Sequence, residues 1–352
     1  MLLLFACSLP GPSGIATSPE ASGVRTISPP TQQSPLPTVS PIPIVRAAFP
    51  SCRLPYLKGA LGDSHMMGGF VQGKAGTWTA DPAGGITQSG DFYVTDAKPT
   101  LRGSAFSSKD TSAYDLALRR WVPVRREQVR NDGLAYAYEE PFKAKSSDPQ
   151  KNATRLHVIS LANGNDRVIY TGAPRAVMAY EPEGIYVTSV MYYAGEGGSG
   201  LWRLNPTTGA STAIPKVPKG WIEAVRRGIA WTDGATIMPR ALTRLNLSSG
   251  SQETWAYVGD EGWIWFVGLN TIGNPLVVVY PVGESASPGA LFVYKTPTVR
   301  AAIANVSFQQ LGVTDSHGTW LAGPDGIYLL DAKDKLAKVS DVTGGTVAGG
   351  CN

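Results

Sequence analysis

Residues 316–331, SHGTWLAGPDGIYLLD, contain the same short pattern twice. In each copy a polar residue and a glycine come directly before aromatic and β-branched residues, first at Gly318 and again at Gly326. Glycine readily adopts the positive φ of tight hairpin turns, and the residues after it are good strand formers. The stretch therefore predicts strands joined by short turns.

The same pattern occurs upstream, in NDGLAYAY (131–138), EGIYVTSV (183–190), RGIAWTD (227–233) and GNPLVVVY (273–280). A second strand–turn–strand element accompanies each turn, and this element recurs about every 36 to 49 residues. A four-stranded unit with that period is typical of a propeller blade. One blade has two apolar faces, and packing blades in a ring buries both.

The predicted fold is all-β, a β-propeller of about six four-stranded blades. A seventh blade would form if residues 51–65 and 341–350 contributed strands. The first blade has the loosest period of the six, which are expected near residues 66–120, 121–172, 176–214, 220–258, 262–305 and 308–340.

Two of these turn sequences carry a family resemblance. The stretches NDGLAYAY and PDGIYLL resemble the Asp-Gly hairpins of TolB-like and PD40 propeller repeats, and DSHGTWLAGPDGIYLLD is similar to the propeller repeats of two-component sensors. The resemblance implies a β-propeller over about residues 120–340. These families share no single function, so it implies no catalytic residue.

The chain begins MLLLFACSLP, which resembles a bacterial lipobox ending at Cys7. Phe5 departs from the small residue usual at its position, and no basic segment precedes the apolar run, which a true start upstream of Met1 would explain. We expect residues 1–7 to be the remnant of a signal peptide and Cys7 to be lipidated. The alternative is an apolar start that occurs by chance.

Residues 8–50 are rich in Pro, Ser and Thr and poor in charge, as in TISPPTQQSPLPTVSPIPIV. Such a segment cannot bury a core, so we expect a disordered linker that holds the propeller, residues 51–352, away from a membrane. An uninterrupted apolar run of about 18 residues, as a transmembrane helix needs, is absent from the sequence.

Composition excludes several classes of function. The net charge of +4 gives no case for nucleic-acid binding. The three cysteines and three histidines are scattered, and the sequence contains no zinc-ligand spacing, phosphate-binding loop or nucleophile elbow. We therefore expect no metal, no cofactor and no catalytic residue identifiable from a linear motif.

The densest basic stretch lies between residues 119 and 130. We expect a solvated loop or strand face, and the alternative is a patch that binds an anionic ligand. Its members are Arg119, Arg120, Arg125, Arg126 and Arg130.

Cys52 and Cys351 lie near the two ends of the predicted propeller. A ring brings its first and last segments together, and a cell-envelope compartment permits oxidation. We therefore predict a Cys52–Cys351 disulfide, with two free thiols on mobile ends as the alternative.

Met191, Tyr192 and Tyr193 precede a glycine-rich stretch and form a candidate loop for contact with a partner. Packing against an edge strand is the alternative.

These features favour a monomeric, lipid-anchored propeller on the extracytoplasmic face of a bacterial envelope, which binds or scaffolds an unknown protein or glycan. The alternative is an extracytoplasmic hydrolase or lyase acting on glycans or peptides, with carboxylates from several blades at the central channel. Carboxylates about 5–10 Å apart at the channel would favour the enzyme.

Replacing Cys7 by Ser is expected to release the protein from membranes, because the thiol that would carry the lipid is removed. The measurement is membrane fractionation of both forms, each expressed behind a complete signal peptide. Cys52→Ser, which keeps Cys7, should remain with the membrane. Identical fractionation of wild type and Cys7→Ser would contradict lipidation.

Overall fold

The computed structural model describes residues 43–59, 64–105, 113–142, 153–189, 200–218, 220–234, 239–259, 262–281, 289–306, 308 and 311–352. Cys7, Met191, Tyr192 and Tyr193 lie outside these residues. No helix in the described ranges has the length and apolar character needed to cross a membrane.

The described residues form β-strands and one short 3-10 turn, Arg126–Gln128. The strands are β1 (Val45–Arg46), β2 (Leu54–Lys58), β3 (His65–Gln72), β4 (Thr77–Ser89), β5 (Phe92–Thr95), β6 (Arg102–Ser104), β7 (Ala113–Asp115), β8 (Arg120–Val122), β9 (Ala135–Phe142), β10 (Ala153–Ser160), β11 (Asp166–Gly172), β12 (Arg175–Glu181), β13 (Gly184–Ser189), β14 (Leu201–Leu204), β15 (Ser211–Ala213), β16 (Ile222–Arg226), β17 (Ile229–Asp233), β18 (Ala241–Asn246), β19 (Gln252–Tyr257), β20 (Gly262–Leu269), β21 (Pro275–Pro281), β22 (Ala290–Tyr294), β23 (Arg300–Ala304), β24 (Val313–Thr314), β25 (Thr319–Gly323), β26 (Gly326–Leu330), β27 (Leu336–Ser340) and β28 (Gly345–Val347).

Six sheets of three or more strands form the blades of a β-propeller, as predicted. Blades 3, 4 and 5 are antiparallel meanders in chain order, β12–β15, β16–β19 and β20–β23. Blade 6 contains β24–β27. Blade 2 contains β9–β11, and a bridge between Val129 and Tyr136 adds an inner position.

Blade 1 is built from both ends of the propeller. Its strand order begins β28-β2-β3-β4, so the innermost strand comes from the C-terminal segment. The segments 51–65 and 341–350 thus contribute strands to blade 1, and the seventh blade that they would have formed is absent from the described part of the chain. The sequence prediction missed this arrangement because β28 and β2 are paired only through ring closure.

The N-terminal boundary of the propeller also differs from the prediction. Within the predicted linker, Val45 and Arg46 form β1, which pairs in parallel with β27 of blade 6. Phe49 is buried and lies 5.6 Å, between ring centroids, from Trp320. The folded part therefore begins before residue 51, because residues near the end of the linker pair with β27 and pack against Trp320 of blade 6.

The core consists of apolar layers between neighbouring blades. Leu276 and Leu291 of blade 5 pack with Leu321 and Tyr328 of blade 6, and the same kind of contact continues around the ring. Full burial of such a side chain contributes about 1.5–3 kcal/mol. Strands β5–β8 fill the space between blades 1 and 2, where the β6 residue Arg102 accepts a hydrogen bond through its carbonyl from the Tyr136 hydroxyl.

The doubled turn of residues 316–331 builds blade 6 and ties it to the C-terminus. Gly326 has a φ of 158°, and a Cβ there would overlap the carbonyl oxygen of Ser340, so only glycine fits without a shift of the backbone. Asp315 accepts hydrogen bonds from Trp320 Nε1 (2.8 Å) and from the backbone N–H of Cys351 (2.6 Å).

The predicted disulfide between Cys52 and Cys351 is present. The two Cα atoms are 5.7 Å apart although 299 positions separate the residues in sequence. Reciprocal backbone hydrogen bonds between Arg53 and Asn352 lie beside it. The disulfide therefore joins the two ends of the propeller where blade 1 is completed.

Replacing both cysteines by Ser in Cys52→Ser/Cys351→Ser is expected to destabilise the protein, because the unfolded chain regains the entropy of a very long loop. The chain-entropy argument gives up to about 5 kcal/mol, and about 2–4 kcal/mol is typical. Thermal unfolding should then occur roughly 5–10 °C lower. Cys7→Ser is the matched control, and an unchanged melting temperature of the double variant would contradict the closing role of the disulfide.

Candidate functional site

The central channel of the propeller contains a cavity of about 260 Å³. Residues of all six blades, or of the segments that continue them, line it, because the innermost strands converge on the axis of the ring. The lining residues include Arg125, Arg126, Glu127, Glu181, Glu223, Arg226, Asp315 and Gly350. Apolar side chains such as Val225, Phe266 and Leu311 provide the rest of the wall.

Three guanidinium groups line this cavity. Arg125 and Arg126 lie at the short 3-10 turn of blade 2, and Arg226 lies at the end of β16 in blade 4. Burial lowers the pKa of Arg226, and the charge of Arg227 acts in the same direction. The charges of Glu127 and Glu181 oppose that shift, so Arg226 lies within electrostatic range of carboxylates from blades 2 and 3.

A pair of carboxyl groups lies at the start of β16. The backbone N–H of Trp221 donates to Oδ1 of Asp233 (2.9 Å), which holds this buried side chain beside β16. Burial raises the pKa of Asp233 to about 9, and the charge of Glu223 and its hydrogen bond with Asp233 add to the shift. Near neutral pH the two groups therefore share one proton.

The positions of these two carboxyl groups determine what they can do. Glu223 lines the channel, and Asp233 is buried behind it at the end of β17. The proton that they share lies between them rather than in the cavity. Asp233 is therefore a positioning residue that fixes the orientation of Glu223.

Aromatic side chains lie at the face of the propeller where β12, β16 and β20 begin, which we call the start face. Trp221 comes directly before β16 and is 41% exposed. Trp263, near the start of β20, stacks on Tyr280 with ring centroids 4.2 Å apart. Such rings can contact a sugar or a peptide on this face.

The candidate contact loop of Met191, Tyr192 and Tyr193 connects β13 to β14 and is outside the described residues. Ser189, where β13 ends, pairs with Arg175 at the start of β12. The strand end that leads into this loop therefore lies on the start face. Because the loop itself is outside the described residues, a contact role for it stays a prediction.

The basic stretch divides between two environments. Arg120 donates to the carbonyl oxygens of Leu161 and Pro99 (both 2.7 Å), and Arg130 pairs with Asp132 at the surface. Arg125 and Arg126 instead line the channel. The anion-binding alternative thus applies to Arg125 and Arg126. In the sequence, their only signal was their position next to each other within the basic stretch.

Sequence analysis did not identify Glu223, Asp233 or Arg226 as site residues. They lie in an ordinary strand–turn–strand segment, and no local pattern distinguishes a strand residue that lines the channel from one that packs between blades. Among the described residues, no group of three or more His, Cys, Asp and Glu side chains is arranged to hold a metal ion.

Comparison with known proteins agrees with this architecture. No family model and no curated protein matches the chain. Among solved structures, prolyl oligopeptidase B from Galerina marginata matches with a TM-score of 0.50 and 10% identity, over 85% of this chain and 51% of that one. The fold is a six-bladed β-propeller.

Two further matches are propellers from other proteins. TolB from Acinetobacter baumannii gives a TM-score of 0.46 and 13% identity over 85% of this chain and 67% of that chain. The propeller domain of the Trilobed protease from Pyrococcus furiosus gives 0.42 and 9% identity over 82% and 86%. This chain spans about half the length of the oligopeptidase, and that likeness, at 10% identity, shows a shared fold alone.

Replacing Asp233 by Asn should make the stability of the protein less dependent on pH. In the folded protein the pKa of this carboxyl is about 9, so its proton is retained up to that pH. The unfolded chain releases the same proton at about pH 4. The free energy of unfolding of the wild type therefore falls as pH rises through that window. The amide of Asn supplies an N–H where the protonated carboxyl had its proton, without a charge to bury.

The measurement is the melting temperature of both forms between about pH 5 and pH 9, which lies between the pKa of the unfolded carboxyl and that of the folded one. The advantage of Asp233→Asn over wild type should grow with pH. Asp91→Asn, at an exposed aspartate of blade 1, is the matched control. A constant difference across the range would contradict the shared proton.

Proposed function

We propose that this protein is an extracytoplasmic, lipid-anchored binding module that holds part of a protein or glycan partner in its central channel. The observation that carries the proposal is the cavity of about 260 Å³ on the axis of the ring. Its wall combines apolar side chains with a few charged groups, the composition typical of a binding pocket.

The location outside the cytoplasm is supported by the disulfide. Cys52 and Cys351 are bonded, and structural disulfides persist mainly in oxidising compartments. The lipobox-like position of Cys7 adds a means of attachment to a membrane. The protein would act as a monomer, because one chain closes the ring and all six blades of that chain, or the segments that continue them, contribute to the channel wall.

The second candidate function is a hydrolase or lyase, and the pair of Glu223 and Asp233 is the observation that favours it. Glycosidases hold their two carboxyl groups about 5–9.5 Å apart, on either side of the bond that is cleaved. Glu223 and Asp233 instead hydrogen bond to each other. A substrate has no place between them, so this pair does not supply the separated carboxyl groups of a glycosidase, and binding in the cavity stays the leading proposal.

The experiment is affinity capture from an envelope extract with the tagged full-length chain, followed by direct binding measurements on the purified partner. Ala224, on the channel wall, is replaced by Phe to reduce the cavity. Ala213→Phe, at an exposed position of the outermost strand of blade 3, is the matched control. We expect stoichiometric binding by wild type and control and at least tenfold weaker binding by Ala224→Phe.

Two results would overturn the proposal. Binding that is unaffected by Ala224→Phe would place the partner outside the channel. Hydrolysis products that appear in the extract with wild type and disappear with Glu223→Gln would support the enzyme instead.

A further inference from the structure

Within the described residues, the three arginines that line the channel lack the direct ion pairs that some surface arginines form. Arg46, Arg130 and Arg155 each form an ion pair with a carboxylate. Within the described residues, no carboxylate lies in ion-pair distance of Arg125, Arg126 or Arg226. Glu127 and Glu181 act on Arg226 only at longer range, so the three cations line one cavity with no direct ion pair to a carboxylate of the described residues.

Two polar atoms near these arginines are buried without any hydrogen-bond partner. They are Nε of Arg125 and Oγ1 of Thr346. Thr346 is 8% exposed and belongs to β28, the innermost strand of blade 1. A buried polar atom without a partner costs about 1–3 kcal/mol, so such atoms mark positions where a ligand or water completes the hydrogen bonds.

Both residues line a second cavity of about 30 Å³. It shares Arg125, Arg126 and the chain from Leu311 to Val313 with the larger cavity, so the two spaces adjoin. A small polar group of a ligand in the larger cavity could therefore reach the Nε–H of Arg125 and the hydroxyl of Thr346.

The acidic residues of the channel limit the charge of such a ligand. Glu127, Glu181 and Glu223 line the same space, and Asp315 already accepts hydrogen bonds from Trp320 and Cys351. A polyanion would be repelled by the negative charges of these carboxylates. A ligand with one carboxylate and neighbouring hydroxyl or amide groups would pair with arginine through the carboxylate, and its hydroxyl or amide groups would donate hydrogen bonds to the glutamates.

We propose that the central channel binds a ligand through one carboxylate, which lies among Arg125, Arg126, Arg226 and Thr346. This inference rests on the proposed function and names the chemical class of its ligand. A uronic acid of a glycan and the C-terminus of a peptide carry the same group, and the experiment below distinguishes them.

Four probes test the proposal by titration calorimetry with the full-length chain, at constant ionic strength in sodium chloride. Glucuronate is compared with glucose, and N-acetyltriglycine is compared with its neutral C-terminal amide. In at least one pair the carboxylate should bind saturably and at least tenfold more tightly than its neutral counterpart. Tight binding of glucuronate indicates a glycan, and tight binding of the acetylated peptide indicates a protein terminus.

Arg226→Gln and Arg125→Gln should each weaken that binding at least tenfold, because each removes a cationic donor. Arg203→Gln, at an exposed arginine of β14 remote from the channel wall, is the matched control and should bind as wild type does. Melting curves of each variant establish that it is folded. Thr346→Val, which removes only the hydroxyl, should cause a smaller loss and gives a test without a change in charge.

The proposal is overturned if neither carboxylate binds more tightly than its neutral counterpart, or if the channel variants bind as well as Arg203→Gln. If binding of a captured partner is weakened by Ala224→Phe but not by the arginine variants, the proposed binding function stands and the carboxylate proposal is refuted. A carboxylate that binds in the absence of any capturable partner would support this inference alone.

Discussion

Closure of the ring between blades 6 and 1 is the constraint on which the rest of the structure depends. Each blade has two apolar faces, and without closure the outer faces of the first and last blades would be exposed to water. The chain closes the ring by pairing β28 with β2, by the Cys52–Cys351 disulfide and by placing β1 beside β27. Blades 6 and 1 then bury Leu54, Trp320 and their neighbours in a common layer.

The same closure completes the central channel. Because β28 is the innermost strand of blade 1, its residue Thr346 lies at the channel beside Arg125 of blade 2. Asp315 connects the turn of blade 6 to the backbone of Cys351, close to Gly350 on the cavity wall. The C-terminal segment of the folded chain is thus part of the site, so closure and the binding of a ligand in the channel should be energetically coupled.

Most of the fold could be predicted from local pattern. The turns at Gly184, Gly228 and Gly326 recur with the period of a blade, and the predicted limits of blades 3 to 6 agree closely with β12–β27. Blade 1 was predicted poorly for a physical reason. Its strands come from both ends of the propeller, and the register of β4 shifts opposite Met67–Gly69, which disrupts the alternation that marks a strand.

The sequence by itself determined the repeat, the need for a ring and the pair of cysteines that closes it, because these follow from local periodicity and from the circular order of blades. It showed Arg125 and Arg126 only as part of a basic stretch, and it did not single out Arg226, Glu223 or Asp233. The tertiary structure alone decided that the arginines and Glu223 meet at one channel, with Asp233 buried behind Glu223. They come from one turn of blade 2 (Arg125 and Arg126), from β16 (Glu223 and Arg226) and from β17 (Asp233). The distances between these elements are set by blades packing around an axis, which no local pattern encodes.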